Sequence, residues 1–92
     1  MFHLRNPTIF CKDGTTLSVQ ASESHYCTPR NNDGPWTNME VGFPSIQVPD
    51  TWLPFADGDG ITHTDVYGWV PIEMIEDFIN QHGGIDFKTF KR

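Results

Sequence analysis

One stretch near the C-terminal end constrains the fold more than any other. Ile72, Ile75, Phe78 and Ile79 recur at three- and four-residue intervals, which lines them up on one stripe of an α-helix. Pro71 stands at a first-turn position, where its missing N–H costs little. Glu73, Glu76 and Asp77 follow in the first two turns, the end at which the helix dipole favours negative charge. Gly83-Gly84 then supplies a left-handed stop. The pattern predicts a helix over residues 71–82, apolar on one side only, so it needs a sheet to lie on.

The upstream segments supply that sheet. Thr8-Ile9-Phe10-Cys11 is short and β-prone, and Lys12-Asp13-Gly14-Thr15 is a turn with the Asp-Gly pair typical of hairpins. Thr16-Leu17-Ser18-Val19-Gln20-Ala21 alternates, with Leu17, Val19 and Ala21 on one face and Ser18, Gln20 and Ser22 on the other. Residues 28–35 are turn formers. A second strand is expected over residues 36–43, with Thr37, Met39, Val41 and Phe43 on one face. Pro44, Pro49 and Pro54 then exclude a long helix or a central strand. Trp52-Leu53-Pro54-Phe55 should pin that loop to the body, and residues 64–70 read as a last strand or an extended lead-in to the helix. The expected fold is α+β: a small antiparallel sheet, made of a β-hairpin plus one or two further strands, packed by one C-terminal α-helix. At 92 residues the chain is expected to form one domain, 1–92, with a thin core.

Charge is distributed unevenly. The net charge is -6, and no Lys or Arg occurs between Asn31 and Phe87, a stretch with ten acids. Such a stretch repels nucleic acid and attracts basic surfaces. Asp57, Asp59, Glu73, Glu76 and Asp77 are the expected contacts to a basic partner. No run of 18 apolar residues occurs, and the N-terminal residues lack the plan of a secretory signal, so a cytosolic location without a membrane partner is expected. Cys11 and Cys27 are expected to be reduced and buried.

Few residues suggest chemistry. Ser22, Ser24, His25, Cys27 and Arg30 form the densest polar cluster, and a Cys27–His25 pair is the minimum of a thiolate nucleophile. It lacks the signature of an oxyanion hole or a third orienting group. Asp57, Asp59, His63 and Asp65 offer oxygen ligands but depart from the EF-hand pattern. No GxGxxG, P-loop, GxSxG or HExxH is present. The expectation is therefore no catalytic residue, no metal site and no cofactor, with a Cys- or metal-dependent hydrolase as the enzymatic alternative. Trp36, Trp52, Tyr67 and Trp69 have acidic neighbours, which argues against direct nucleic-acid binding. One aromatic shelf with Arg30 would still suit a small nucleotide, with Ser18, Gln20, Ser22 and His25 lining the rest of the pocket.

Several blocks resemble those of a family of small uncharacterised proteins of tailed bacteriophages and prophages. They are Cys11-Lys12-Asp13-Gly14, Ser18-Val19-Gln20-Ala21-Ser22, His25-Tyr26-Cys27-Thr28-Pro29-Arg30 and Glu40-Val41-Gly42-Phe43-Pro44. Tyr67-Gly68-Trp69-Val70-Pro71, running to His82-Gly83-Gly84-Ile85, resembles the same family's C-terminal block. The resemblance spans about residues 9–85, with 45–64 as its variable part. It implies a phage origin and work in the host cytoplasm, and it carries no catalytic residues. Small acidic phage proteins are often inhibitors of host defence. Anti-CRISPR proteins are the best-known class, and other inhibitors sequester a cyclic nucleotide signal in a homo-oligomer. The expected function is a non-enzymatic, anti-CRISPR-like inhibitor that binds the basic nucleic-acid-binding surface of a host defence protein. The alternatives are a sponge for a small nucleotide signal, or a phage structural or assembly protein. A homodimer is left open.

Overall fold

A computed structural model describes residues 7–56 and 66–86. Four strands, β1 (Ile9–Phe10), β2 (Thr16–Gln20), β3 (Asn38–Gly42) and β4 (Val66–Pro71), form one sheet in the order β1-β2-β3-β4. Each is antiparallel to the next. The helix α1 (Ile72–Gln81) follows β4 directly, and a 3-10 helix (Asp50–Phe55) lies in the β3–β4 connection. This is the small α+β fold the patterning predicts.

The β1–β2 turn closes with the Gly14 amide donating to the Cys11 carbonyl at 2.9 Å and the Cys11 amide to Thr15 at 2.7 Å. Gly14 has φ +97°, the left-handed conformation that ends a three-residue hairpin loop. At α1 the expected stop is present in full. Gly84 donates to the Ile79 carbonyl and Gly83 to Asn80, both with positive φ, which is the Schellman arrangement. Pro71 is the N-cap rather than the first helical residue, with an extended ψ of 140° that continues β4.

The core lies between one face of the sheet and α1. Leu17 and Val19 of β2, Val41 of β3 and Tyr67 and Val70 of β4 face Ile75, Phe78 and Ile79. Trp52, from the 3-10 helix, enters between them and is 1% exposed. Its ring meets Tyr67 edge-on at 5.8 Å and Phe78 at 5.3 Å. Of the expected anchor, Trp52 is buried and Phe55 packs half-buried against the core, whereas Leu53 is exposed. Cys11 and Cys27 are free and buried.

A further segment meets the sheet at each edge. Cys11 bridges to Ile85 beside β1, and Ala56 bridges to Tyr67 beside β4. Phe43 departs from the expected alternation: its φ is +51° and it is 61% exposed. The chain turns there to bury Pro44 and to bond Ser45 to Thr16, which swings Phe43 out of the strand.

Candidate functional site

The second face of the sheet carries the polar side chains that alternation predicts. Gln20 pairs opposite Glu40 and Ser18 opposite Gly42. This face is not a plain solvent face, because the β2–β3 connection folds back over it. Gln20 is 4% exposed and Ser22 6%. Gln20 Nε2 donates to Ser18 Oγ, and the Tyr26 amide donates to the Glu40 carboxylate. Ser22 Oγ, 2.6 Å from His25 Nδ1, also accepts the Ser24 amide. These are the bonds of a side-chain-stapled turn. Cys27 Sγ donates to the Ser22 and Pro29 carbonyls, so Cys27 and His25 turn to different groups. Ser18 with Gln20, and Ser22 with His25, are therefore joined as two pairs by bonds among themselves and their neighbours.

Arg30 meets the Tyr26 ring instead, beside a bulge in β4. Met39 pairs with Val70 and Val41 with Tyr67, so Glu40 alone opposes Gly68 and Trp69. An extra residue of this kind bends the strand and re-aims a side chain. Trp69 takes φ +56°, a conformation that costs a bulky residue about 1–3 kcal/mol. Its side chain is left 46% exposed. The Trp69 amide donates to the Tyr26 carbonyl, and the two rings stack at 4.7 Å with 15° between their planes. The Arg30 guanidinium carbon lies over the Tyr26 ring, 5.7 Å from its centroid. Tyr26, Gly68 and Trp69 line a cleft of about 170 Å³ whose other wall is Pro54, Phe55 and Ala56.

Of the four aromatics singled out in the sequence, only Trp69 belongs to this surface. Trp52 and Tyr67 are core, and Trp36 staples its own loop by donating Nε1–H to the Asn31 carbonyl. Tyr26, the shelf's other half, is not legible by period, since it lies in a turn. The signal that points to it is the small residue at 68: a Cβ there would lie 2.9 Å from Tyr26 Cβ.

The expected protein-contact residues divide. Glu73, Glu76 and Asp77 are all exposed on α1. Their spacing of three and four puts them on the face away from Ile75, Phe78 and Ile79. Asp57 and Asp59 lie outside the described residues, as do His63 and Asp65 of the considered cation loop. Among the described residues no group of three His, Cys, Asp or Glu side chains has the arrangement of a metal site. No described helix is long and apolar enough to cross a membrane.

The chain matches no family model, no curated protein and no solved structure. Function therefore rests on the residues themselves.

One further polar cluster joins the hairpin to the helix end. His82 Nδ1 lies 2.6 Å from Asp13 Oδ2 and 3.3 Å from Thr15 Oγ1, and the ring packs on Phe78. The Asp13 and Lys12 amides donate to the His82 and Gly84 carbonyls, so the turn caps the helix C-terminus. Hydrogen bonds from the Thr15 amide and hydroxyl, then the contact with His82, hold the Asp13 carboxyl below its ordinary value. Burial, and then the Asp13 charge, push the Cys11 thiol up. A depressed carboxylate stabilises the fold above its unfolded pKa, and that contribution is lost as pH falls through the folded value. Asp13→Asn should thus melt below wild type at neutral pH, with the gap closing as pH falls through and below the ordinary carboxylate range. A gap in melting temperature that stayed constant with pH would mean the Asp13 charge contributes nothing.

Proposed function

We propose that this protein works by binding rather than by catalysis, docking the acidic outer face of α1 on a basic surface of another protein. The observation that carries the reading is the placement of Glu73, Glu76 and Asp77. All three are exposed on one helix face, within a stretch of sequence that contains no Lys or Arg. An exposed face of one sign attracts an oppositely charged partner and steers its approach. The resemblance to small tailed-phage proteins suggests the kind of partner, a nucleic-acid-binding protein of a bacterial defence system. The workplace would then be the host cytoplasm. A basic nucleic-acid groove fits this charge, whereas nucleic acid itself would be repelled.

The test compares wild type with a Glu73→Gln, Glu76→Gln, Asp77→Asn variant as bait in lysate from an infected host. The wild type should retain a basic protein that elutes as salt is raised, because screening shortens the electrostatic reach. The variant should retain it at least about tenfold less, the equivalent of about 1.4 kcal/mol. Equal retention by both baits, or elution insensitive to salt, would remove α1 as the docking face.

A further inference from the structure

A groove runs along α1 on the side that meets the 3-10 helix. Met74, Asp77, Phe78 and Gln81 of α1 recur at spacings of three and four and make one wall. Pro49, Thr51 and Trp52 make the other. The cause is the burial of Trp52 against Phe78, which brings the 3-10 helix beside α1 while Pro49 and Thr51 stay exposed. The groove is therefore apolar within and polar at its rim. Trp52 and Phe78 are buried and Met74 is half-buried, whereas Thr51, Asp77 and Gln81 are exposed.

The rim carries charge of one sign. The Asp77 carboxylate lines the groove, Glu73 lies one turn before it on α1, and Asp50 stands between Pro49 and Thr51; all three are exposed. Both walls come from the stretch of sequence without Lys or Arg. The two Lys and Arg residues among the described residues, Lys12 beside Gly83 and Arg30 over Tyr26, do not line the groove. A side chain suited to this groove is apolar along its stem and cationic at its tip, the build of Arg and Lys. Asp77 and Gln81 are four residues apart on the helix, so their Cβ atoms are roughly 5–6 Å apart. One planar guanidinium can donate to the Asp77 carboxylate and the Gln81 amide oxygen together, whereas an ammonium is a compact, strongly hydrated point charge. The groove of about 150 Å³ is smaller than the roughly 300–1,000 Å³ that encloses a drug-sized molecule, so it suits one side chain.

We propose that this groove receives an arginine side chain of the basic partner, its stem against Trp52, Met74 and Phe78 and its guanidinium at Asp77 and Gln81. The inference rests on the helix-face reading and deepens it, turning a general attraction into one seated contact. Arginine is among the residues that dominate interface energies when held in a pocket. Glu73 and Glu76 then steer the approach, while the groove fixes the register.

The experiment is an NMR titration of the full chain, at low salt, with a short peptide of alternating glycine and arginine and with its lysine counterpart of equal charge. The arginine peptide should shift the amide signals of Thr51, Asp77 and Gln81. It should also bind at least about threefold more tightly than the lysine peptide, since only a guanidinium forms the forked contact. Thr51→Leu places a larger aliphatic side chain in the groove and keeps every charge, and it should bring the two peptides level. Asp77→Asn, which keeps the shape of the side chain, should do the same. Equal affinity of the two peptides for wild type overturns the groove and leaves the acidic face standing. So does an arginine preference undiminished in both Thr51→Leu and Asp77→Asn. Binding of neither peptide overturns the groove and the helix-face reading together. Shifts confined to Tyr26 and Trp69 would assign the arginine to the stacked rings, and the groove would again be overturned.

Discussion

Trp52→Ala is expected to destabilise the fold by about 4 kcal/mol, the middle of the range for truncating a buried aromatic. Trp52 is 1% exposed and touches both layers of the core, Tyr67 of β4 and Phe78 of α1. It is also the buried residue of the 3-10 helix, so it ties the β3–β4 connection to the body. A small domain has a stability of about 5–15 kcal/mol, so one such loss removes much of it. Chemical denaturation followed by far-ultraviolet circular dichroism would measure the change. Trp52→Phe keeps part of the ring contact and should cost clearly less. A loss below about 1 kcal/mol for the alanine variant would mean that the core closes without this anchor.

How much of this was legible in the sequence depends on the range of the interactions. The helix was readable with both ends, because its stripe, Pro71 and Gly83-Gly84 are local signals about one element. The hairpin was readable for the same reason: Asp13-Gly14 sits between two short extended runs. Alternation in β2 assigned Leu17 and Val19 to one face and Ser18 and Gln20 to the other, as found. Alternation does not tell whether a distant loop covers the second face. Gln20 and Ser22 are buried because residues 22–30 return across it, which no two-residue period encodes.

The aromatic shelf was hidden for a related reason. A bulge is a property of two strands in register, not of one. Nothing in Tyr67-Gly68-Trp69-Val70 by itself says that Glu40 will face two residues. Arg30 lies over Tyr26, an aromatic that the sequence reading did not single out. The acidic residues of α1 were the most legible of the candidates, since helix periodicity alone puts Glu73, Glu76 and Asp77 opposite the apolar stripe. Charge is read directly from sequence, whereas a stacked pair requires three chain segments to meet.

Gly68→Ala is the substitution that tests this meeting of segments most directly. The new Cβ would lie 2.9 Å from Tyr26 Cβ and 3.1 Å from its ring. The Tyr26 Cβ adjoins the main chain and cannot rotate aside. The main chain is in turn held by Glu40 on one side and Trp69 on the other. Relief therefore requires residue 26 to move off the bulge, which breaks those bonds and parts the rings. The expected cost is about 2 kcal/mol, within the range for inserting an atom into a packed contact. The near-ultraviolet circular dichroism signal of the stacked Tyr26–Trp69 pair should fall with it. Gly84→Ala supplies the control. Its φ of +84° makes alanine unfavourable by about 1–2 kcal/mol, yet no atom lies within 4 Å of the added Cβ. That variant should lose stability and keep the near-ultraviolet signal, separating a weakened fold from a parted ring pair. Wild-type stability and ring signal in Gly68→Ala would mean that Tyr26 is not seated against the bulge.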